Sequence, residues 1–167
     1  MTKPIYCPHC GRSLSTQNIN SRDYQACPDQ ECGYVFWDNP LPVVAAVIEH
    51  RGDLLLARNK AWPPKMFGLI TGFLEKGESP EDAVLREVKE ELDLDADLQN
   101  LIGVYAFEKQ NQIIIAYHLT ADGEITMGDE LAEVISVPPD KVRPWNFGTG
   151  LAVRDWLRKR GLENQGT

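Results

Sequence analysis

No apolar run in this chain approaches the roughly 20 residues that a bilayer-spanning helix needs, so a membrane partner is excluded on that ground. The start lacks the basic region followed by an apolar one that an export signal requires, and the expected location is cytoplasmic. Positive charge is also short. The 17 Lys and Arg face 25 Asp and Glu, a formal net charge of −8. Such a surface repels phosphates and argues against broad binding to nucleic acid. It leaves room for a local basic pocket, or for a metal that bridges acidic protein to an anionic substrate. Histidine is scarce, three residues that do not cluster. There is no Ser–His–Asp pattern, no P-loop, no internal repeat and no low-complexity segment. What remains is 167 residues, 43% hydrophobic and 25% charged. That composition fits a globular protein with one well-buried core plus a small appendage.

Cysteine is confined to the first 32 positions. It reads Cys7-Pro-His-Cys10 and Cys27-Pro-Asp-Gln-Glu-Cys32. Two short-spaced pairs separated by a loop suit four thiolates around tetrahedral Zn²⁺. The alternative, a pair of disulfides, belongs to exported domains. A closed four-ligand site is structural, since no position is left open for chemistry. His9 is then a bystander. Residues 1–37 read as a zinc ribbon whose core is too small to fold without metal. Tyr6, Tyr24, Tyr34, Phe36 and Trp37 are expected to pack it.

Residues 38–167 read as a second domain. Val43 to Glu49 is a continuous apolar run, as in a buried strand, and a hairpin turn at 50–53 returns it through Leu54 to Arg58. A loop from Asn59 to Lys65 holds Trp62. Leu101–Phe107 and Ile113–Leu119 form a strand pair. A short strand at 134–137 and a turn of helix near Pro138 follow. Thr149 caps a last amphipathic helix, Gly161 stops it, and the tail beyond is expected to be loose. His118 lies in an apolar strand and reads as a satisfied core residue.

The densest signal lies between Gly72 and Leu94. Ser79 is a good N-cap, Pro80 suits the first helical position and Asp82 can close a capping box, which predicts a helix over 80–92. Val84, Leu85, Val88 and Leu92 fall on one side of that helix. Glu87, Glu90 and Glu91 gather on another, with Arg86 offsetting part of their charge. Like charges do not gather for stability. The cluster is either a solvated acidic face or a site for a hard cation such as Mg²⁺ or Mn²⁺, which prefers carboxylate oxygens.

This stretch resembles the Nudix box, G-x5-E-x7-R-E-U-x-E-E-x-G-U with U apolar. Gly72 opens it, and Glu78 supplies the first glutamate. Arg86, Glu87 and Val88 follow, then Glu90, Glu91 and Leu94. One position departs: the late glycine is Asp93, a residue that tolerates the positive φ expected there. The resemblance covers roughly residues 40–160 and implies an α/β/α sandwich that hydrolyses a nucleoside diphosphate linked to another moiety, with a small-molecule nucleotide as substrate. It implies Glu87 and Glu91 as the firmest Mg²⁺ or Mn²⁺ ligands, and Glu90 as a third ligand or a group positioning water. The Thr71 carbonyl joins the metal shell, and Arg86 orients a glutamate. A downstream carboxylate, Glu130 or Glu133 with a lean to Glu130, completes the metal site or acts as base. Glu75 and Glu78 brace the loop. Trp62 and Phe107 are candidates to stack a base, and Arg58 or Lys65 to hold a phosphate.

A zinc ribbon before such a box is similar to the NADH pyrophosphatases and to a plant-type FAD and ADP-ribose pyrophosphatase group. The NADH signature S-Q-P-W-P-F-P-x-S is absent, since 105–113 read Tyr-Ala-Phe-Glu-Lys-Gln-Asn-Gln-Ile. Pro144-Trp145-Asn146-Phe147 echoes its letters far beyond the box and is read as coincidence. The proline that marks one ADP-ribose branch is missing too. The alternatives are removal of a nucleotide cap from RNA 5′ ends and a non-hydrolytic nucleotide-binding regulator; intact Arg86, Glu87, Glu90 and Glu91 argue against the latter. Related proteins also suggest a homodimer.

Overall fold

The computed structural model describes residues 3–162, so the expectation of a loose tail falls, from 163 onward, outside the described residues. The chain divides into two compact units, Met1–Asn39 and Pro40–Thr167. In the first, strands β1 (Ser15–Ile19), β2 (Arg22–Ala26) and β3 (Val35–Phe36) form an antiparallel sheet. Its described residues bury only three apolar side chains, Cys7, Ala26 and Cys27, and two of these are thiols. Burial alone therefore cannot hold it. Tyr24 packs edge-on against Trp37, and Tyr34 against His9. Tyr6 departs from the packing expectation: 64% exposed, it lies in the open, and Trp37 is half-exposed.

The second unit runs β4 (Leu41–His50), β5 (Asp53–Asn59), β6 (Ile70–Phe73), α1 (Pro80–Leu92), β7 (Asp95–Phe107), β8 (Gln112–Asp122), β9 (Leu131–Val137) and α2 (Gly150–Lys159). The sheet order is β7-β8-β4-β5-β9, with β6 also paired to β4. β4 runs parallel to β8 along its whole length, Val44 opposite Ile115, and the other pairs are antiparallel. β4 is covered on both faces. Val44, Ala46 and Ile48 meet Val84, Val88 and Leu92 of α1, while Ala45 and Val47 meet Val153, Trp156 and Leu157 of α2. That explains its unbroken apolar run. Each valine, leucine and isoleucine among them contributes about 1.5–3 kcal/mol by leaving water. The result is the α/β/α sandwich, a mixed sheet between two helices.

α1 begins and ends where its sequence dictates. The Asp82 amide donates to the Ser79 hydroxyl at 3.1 Å, and that hydroxyl donates to the Asp82 carboxylate at 2.7 Å. Asp93 closes the helix with φ 54°. α2 differs at its start. Thr149 precedes it, but its hydroxyl makes no cap bond; the residue is already helical, and its carbonyl accepts from the amides of Ala152 and Val153. β7 starts at Asp95 rather than Leu101, because the polar residues before Leu101 lie on an edge strand. His118 is satisfied as expected: its Nε2 lies 3.2 Å from Glu49, which also accepts from Arg160. Burial holds His118 below the usual imidazole range, and Arg160 holds Glu49 below the usual carboxylate range.

Candidate active site

The helix that follows the β6 turn presents its acids on the side away from the core. Arg86 is their fastener. Its guanidinium donates to Glu78 at 2.9 and 3.1 Å, to Glu87 at 2.7 Å, to Glu90 at 3.1 Å and to the Phe73 carbonyl at 3.2 Å. Glu78 is drawn below the usual carboxylate range, by Arg86 first and by the Glu75 amide second. Glu78 therefore braces the turn, and Arg86 ties Glu78, Glu87 and Glu90 together. One oxygen each of Glu87 and Glu90 is left without a bond to Arg86. Gly72 explains how Glu87 reaches its place: a Cβ there would lie 1.8 Å from the Glu87 carboxyl carbon. Only a residue with no side chain lets that carboxylate lie flat on the β6 backbone.

Glu91 sits differently. Among the described residues no hydrogen bond or ion pair holds its carboxylate. Burial, and then the charges of Glu87, Glu130 and Glu90, push it up to about 7. Carboxylates crowded together without a counter-charge are costly unless a cation joins them. Glu130 arrives through the loop after β8. The amides of Thr126 and Gly128 donate to the carbonyls of Leu92 and Glu91 at 3.0 and 2.8 Å. These bonds cap the end of α1 and set Asp129 and Glu130 beside it. A cavity of about 570 Å³ results, lined by Thr71, Gly72, Glu75, Arg86, Glu87, Glu90, Glu91, Asp129 and Glu130.

Glu133 does not join this cavity. It lies on β9 opposite Arg58, and the guanidinium donates to it at 3.4 Å. Arg58, named above as a candidate phosphate holder, lines neither this cavity nor the aromatic one beside it. The side chains expected to stack a base lie in a second cavity of about 530 Å³, lined by Trp62, Phe107, Lys65, Phe67, Gln110, Gln112, Trp145, Phe147 and Thr149. It shares Val43, Thr71 and Gln112 with the first. Trp145 and Phe147 were missed in the sequence, where they read as a coincidental echo. The available signal was two aromatics just ahead of an amphipathic helix.

In the first unit the four cysteines converge. Cys7 and Cys32 Sγ are 3.6 Å apart, Cys10 and Cys27 Sγ 3.5 Å, and all four lie within 4.8 Å of one another. Zn–S bonds of about 2.3 Å in a tetrahedron put sulfurs about 3.8 Å apart, so the four thiolates fit Zn²⁺. Among the described residues this is the one group of ligand atoms gathered so tightly. The α1 acids share a cavity but are spread more widely.

A helix of fastened carboxylates, laid on a mixed sheet beside an aromatic cavity, defines a class of hydrolases. Residues 39–156 match the NUDIX domain, and the chain belongs to that family. Nudix hydrolases generally use divalent metals such as Mg²⁺ or Mn²⁺. Similar proteins include the NAD-capped RNA hydrolase NudC of Mycobacterium tuberculosis, 34% identical over 119 residues, which cover 69% of this chain and 36% of that protein. NudC of Pseudomonas aeruginosa is 28% identical over 129 residues, 77% of this chain and 45% of that protein. The chain thus spans less than half the length of these relatives. Among solved structures, a NUDIX hydrolase from Nitrosomonas europaea aligns with TM-score 0.75 at 21% identity, covering 93% of each chain. An ADP-ribose pyrophosphatase from Streptococcus suis aligns with TM-score 0.60 at 21% identity, covering 77% of this chain and 96% of that one. Among the described residues no helix is long and apolar enough to cross a membrane.

Proposed function

We propose that this protein cleaves the diphosphate of a nucleoside diphosphate linked to another moiety, of the NADH, FAD or ADP-ribose type, and releases AMP. The observation that carries the reading is Glu91, crowded by Glu87, Glu90 and Glu130 in one cavity and, among the described residues, itself bonded to no cation, since Arg86 there reaches Glu78, Glu87 and Glu90 instead. The donor set is all oxygen, which suits Mg²⁺ or Mn²⁺. Glu87, Glu91 and the Thr71 carbonyl would hold the ions, with Glu90 as a third ligand or the group that positions the water, and Glu130 as a further ligand or the base. Bound there, such ions would neutralise the diphosphate and acidify a water. The chain's own part is positioning. Arg86 and Gly72 fix Glu87, and the capped end of α1 keeps Glu130 beside Glu91. Trp62 and Phe107 offer faces to a base next to the scissile diphosphate, and Lys65 offers a cation there.

Residues 1–37 are assigned as a ribbon folded around a structural Zn²⁺, and residues 38–167 as the hydrolase. The test is a panel of NADH, FAD and ADP-ribose with mass-spectrometric product analysis. AMP release should require Mg²⁺ or Mn²⁺ and vanish in Glu91→Gln. A clean blank across the panel, with nucleotide binding retained, overturns the reading. The names of the NudC relatives favour a second reading, removal of a nucleotide cap from RNA. Failure to retain a capped oligonucleotide at moderate salt removes it.

A further inference from the structure

The acids that α1 carries are held by the helix itself and by Arg86, which donates to Glu87 and Glu90. Glu130 comes from outside the helix, exposed on the loop ahead of β9. An exposed glutamate turns through many rotamers and stays aimed at one place only if something bonds it there. Among the described residues one side chain donates to it: Asn59, whose Nδ2 lies 3.4 Å from its Oε2. Asn59 is itself oriented for this. Its Oδ1 accepts from the Ala61 amide at 2.9 Å. A backbone amide only donates, so the side-chain oxygen faces Ala61 and the NH₂ group is left for Glu130. The Trp62 amide donates to the Asn59 carbonyl at 3.0 Å and closes the turn. Strand pairing then brings the partners together. Arg58 stands opposite Glu133 but Asn59 opposite Leu131, so Ala132 is skipped. Regular pairing would set Ala61 across from Glu130. The skip sets Lys60 there, one residue nearer Asn59. The Lys60 amide donates to the Glu130 carbonyl at 2.9 Å, and its ammonium donates to the Asp129 carbonyl. A bulge of this kind re-aims a side chain. Asn59, Glu130, Glu91, Thr71 and Trp62 are among the walls of a recess of about 60 Å³.

We propose that Asn59 is a positioning residue for the hydrolysis, holding the Glu130 carboxylate toward Glu91. This rests on the reading of the acidic cavity as the diphosphate site, and it names the group that keeps the last acid of that site in place. Asn59 acts through Glu130, as ligand or as base, and has no contact of its own with the reacting atoms. A neutral donor suits the task. An ammonium or guanidinium in the same place would neutralise the carboxylate that a divalent ion or a water proton has to find. The amide orients it and leaves its charge intact.

Asn59→Asp separates the bond to Glu130 from the turn. The new carboxylate still accepts from Ala61, so the turn that leads to Trp62 is kept, but an acceptor now faces an acceptor and Glu130 is pushed away. On whichever compound of the panel the parent cleaves fastest, kcat should fall roughly 10–100-fold, the scale for partners that orient an acid at a metal site, with KM little changed. In a Glu130→Gln background the same substitution should cost nothing further, because effects that run through one group do not add. A second readout needs neither substrate nor added divalent ion. In ¹H–¹⁵N spectra of the full chain, the Asn59 side-chain NH₂ resonances should move in Glu130→Gln. Three results each overturn the proposal while an active parent leaves the hydrolase reading standing. They are an unchanged kcat in Asn59→Asp, a loss repeated in full on top of Glu130→Gln, and NH₂ resonances indifferent to Glu130→Gln. A parent that cleaves nothing in the panel brings down the hydrolase reading and this role with it, even where the resonances move as expected.

Discussion

The acidic and the aromatic cavity touch at Val43, Thr71 and Gln112 and are built in opposite ways. Most of the acidic one comes from a single stretch: the β6 turn and α1, closed by a loop that binds the carbonyl end of that helix. The aromatic one draws mostly on three segments far apart in the chain, at 62–69, 107–112 and 145–149. Charge needs a rigid carrier, because repelling groups must be held in place, and a helix does this locally. An apolar wall needs only area, which any loop can supply once the fold brings it near. In the proposed function, the chemistry is therefore carried by neighbours in sequence, and base binding by residues that meet only in the folded chain.

The largest effect serves as a control outside both cavities. Elemental analysis should find one zinc per chain, and Cys7→Ser should lose it along with amide protection in residues 3–39. Structural zinc supplies about 10–16 kcal/mol in small zinc-dependent folds, and the first unit has little else to replace it. Next comes Glu91→Gln. Losing groups that only orient a metal ligand costs about 10–100-fold, so losing this carboxylate should cut hydrolysis by more than about a hundredfold. Binding of AMP in EDTA, followed by the fluorescence of Trp62 and Trp145 in the aromatic cavity, should survive; a variant that loses both would erase the distinction between the cavities. Gly72→Ala should displace Glu87 and lower kcat by roughly 10–100-fold with KM little changed. Trp62→Ala should do the reverse, raising KM about tenfold at nearly constant kcat. The smallest effect is on stability. His118 is held below its ordinary value by burial, so the unfolded chain takes up that proton first. Stability is then highest above about pH 6.5 and falls as pH drops through the window below it. Thermal melts at about pH 7.5 and about pH 5.5 should differ less in His118→Gln than in the parent, in a range above that where Glu49 titrates.

How much of this was legible follows the same division. Ser79, Pro80 and the spacing of Val84, Val88 and Leu92 mark α1 at both ends, and Asp93 takes the left-handed cap in place of glycine. Arg86 and the three glutamates were readable as a cluster because three and four residues make one turn. The choice between Glu130 and Glu133 was open in sequence, since both lie in one acidic run. The fold puts them in different surroundings: β9 aligns Glu133 with Arg58, and the bond from Gly128 to α1 holds the run's start at the cavity. Phe147 was illegible because its partner Phe107 lies 40 residues earlier, and nothing local announces their meeting. Thr149 was well placed as a cap residue, yet its backbone is already helical, so its hydroxyl makes no cap bond.

The parallel pairing of β4 with β8 has a bearing on synthesis. β4 is made early, but its neighbour along that edge, Gln112–Asp122, leaves the ribosome only after α1 and β7 have been translated. Until then one side of an almost wholly apolar strand has no backbone partner, and non-local pairings of this kind form slowly. The nascent domain thus passes through a sticky interval during which neither cavity exists. A chaperone that binds extended apolar segments would find its target at Val43–Ile48.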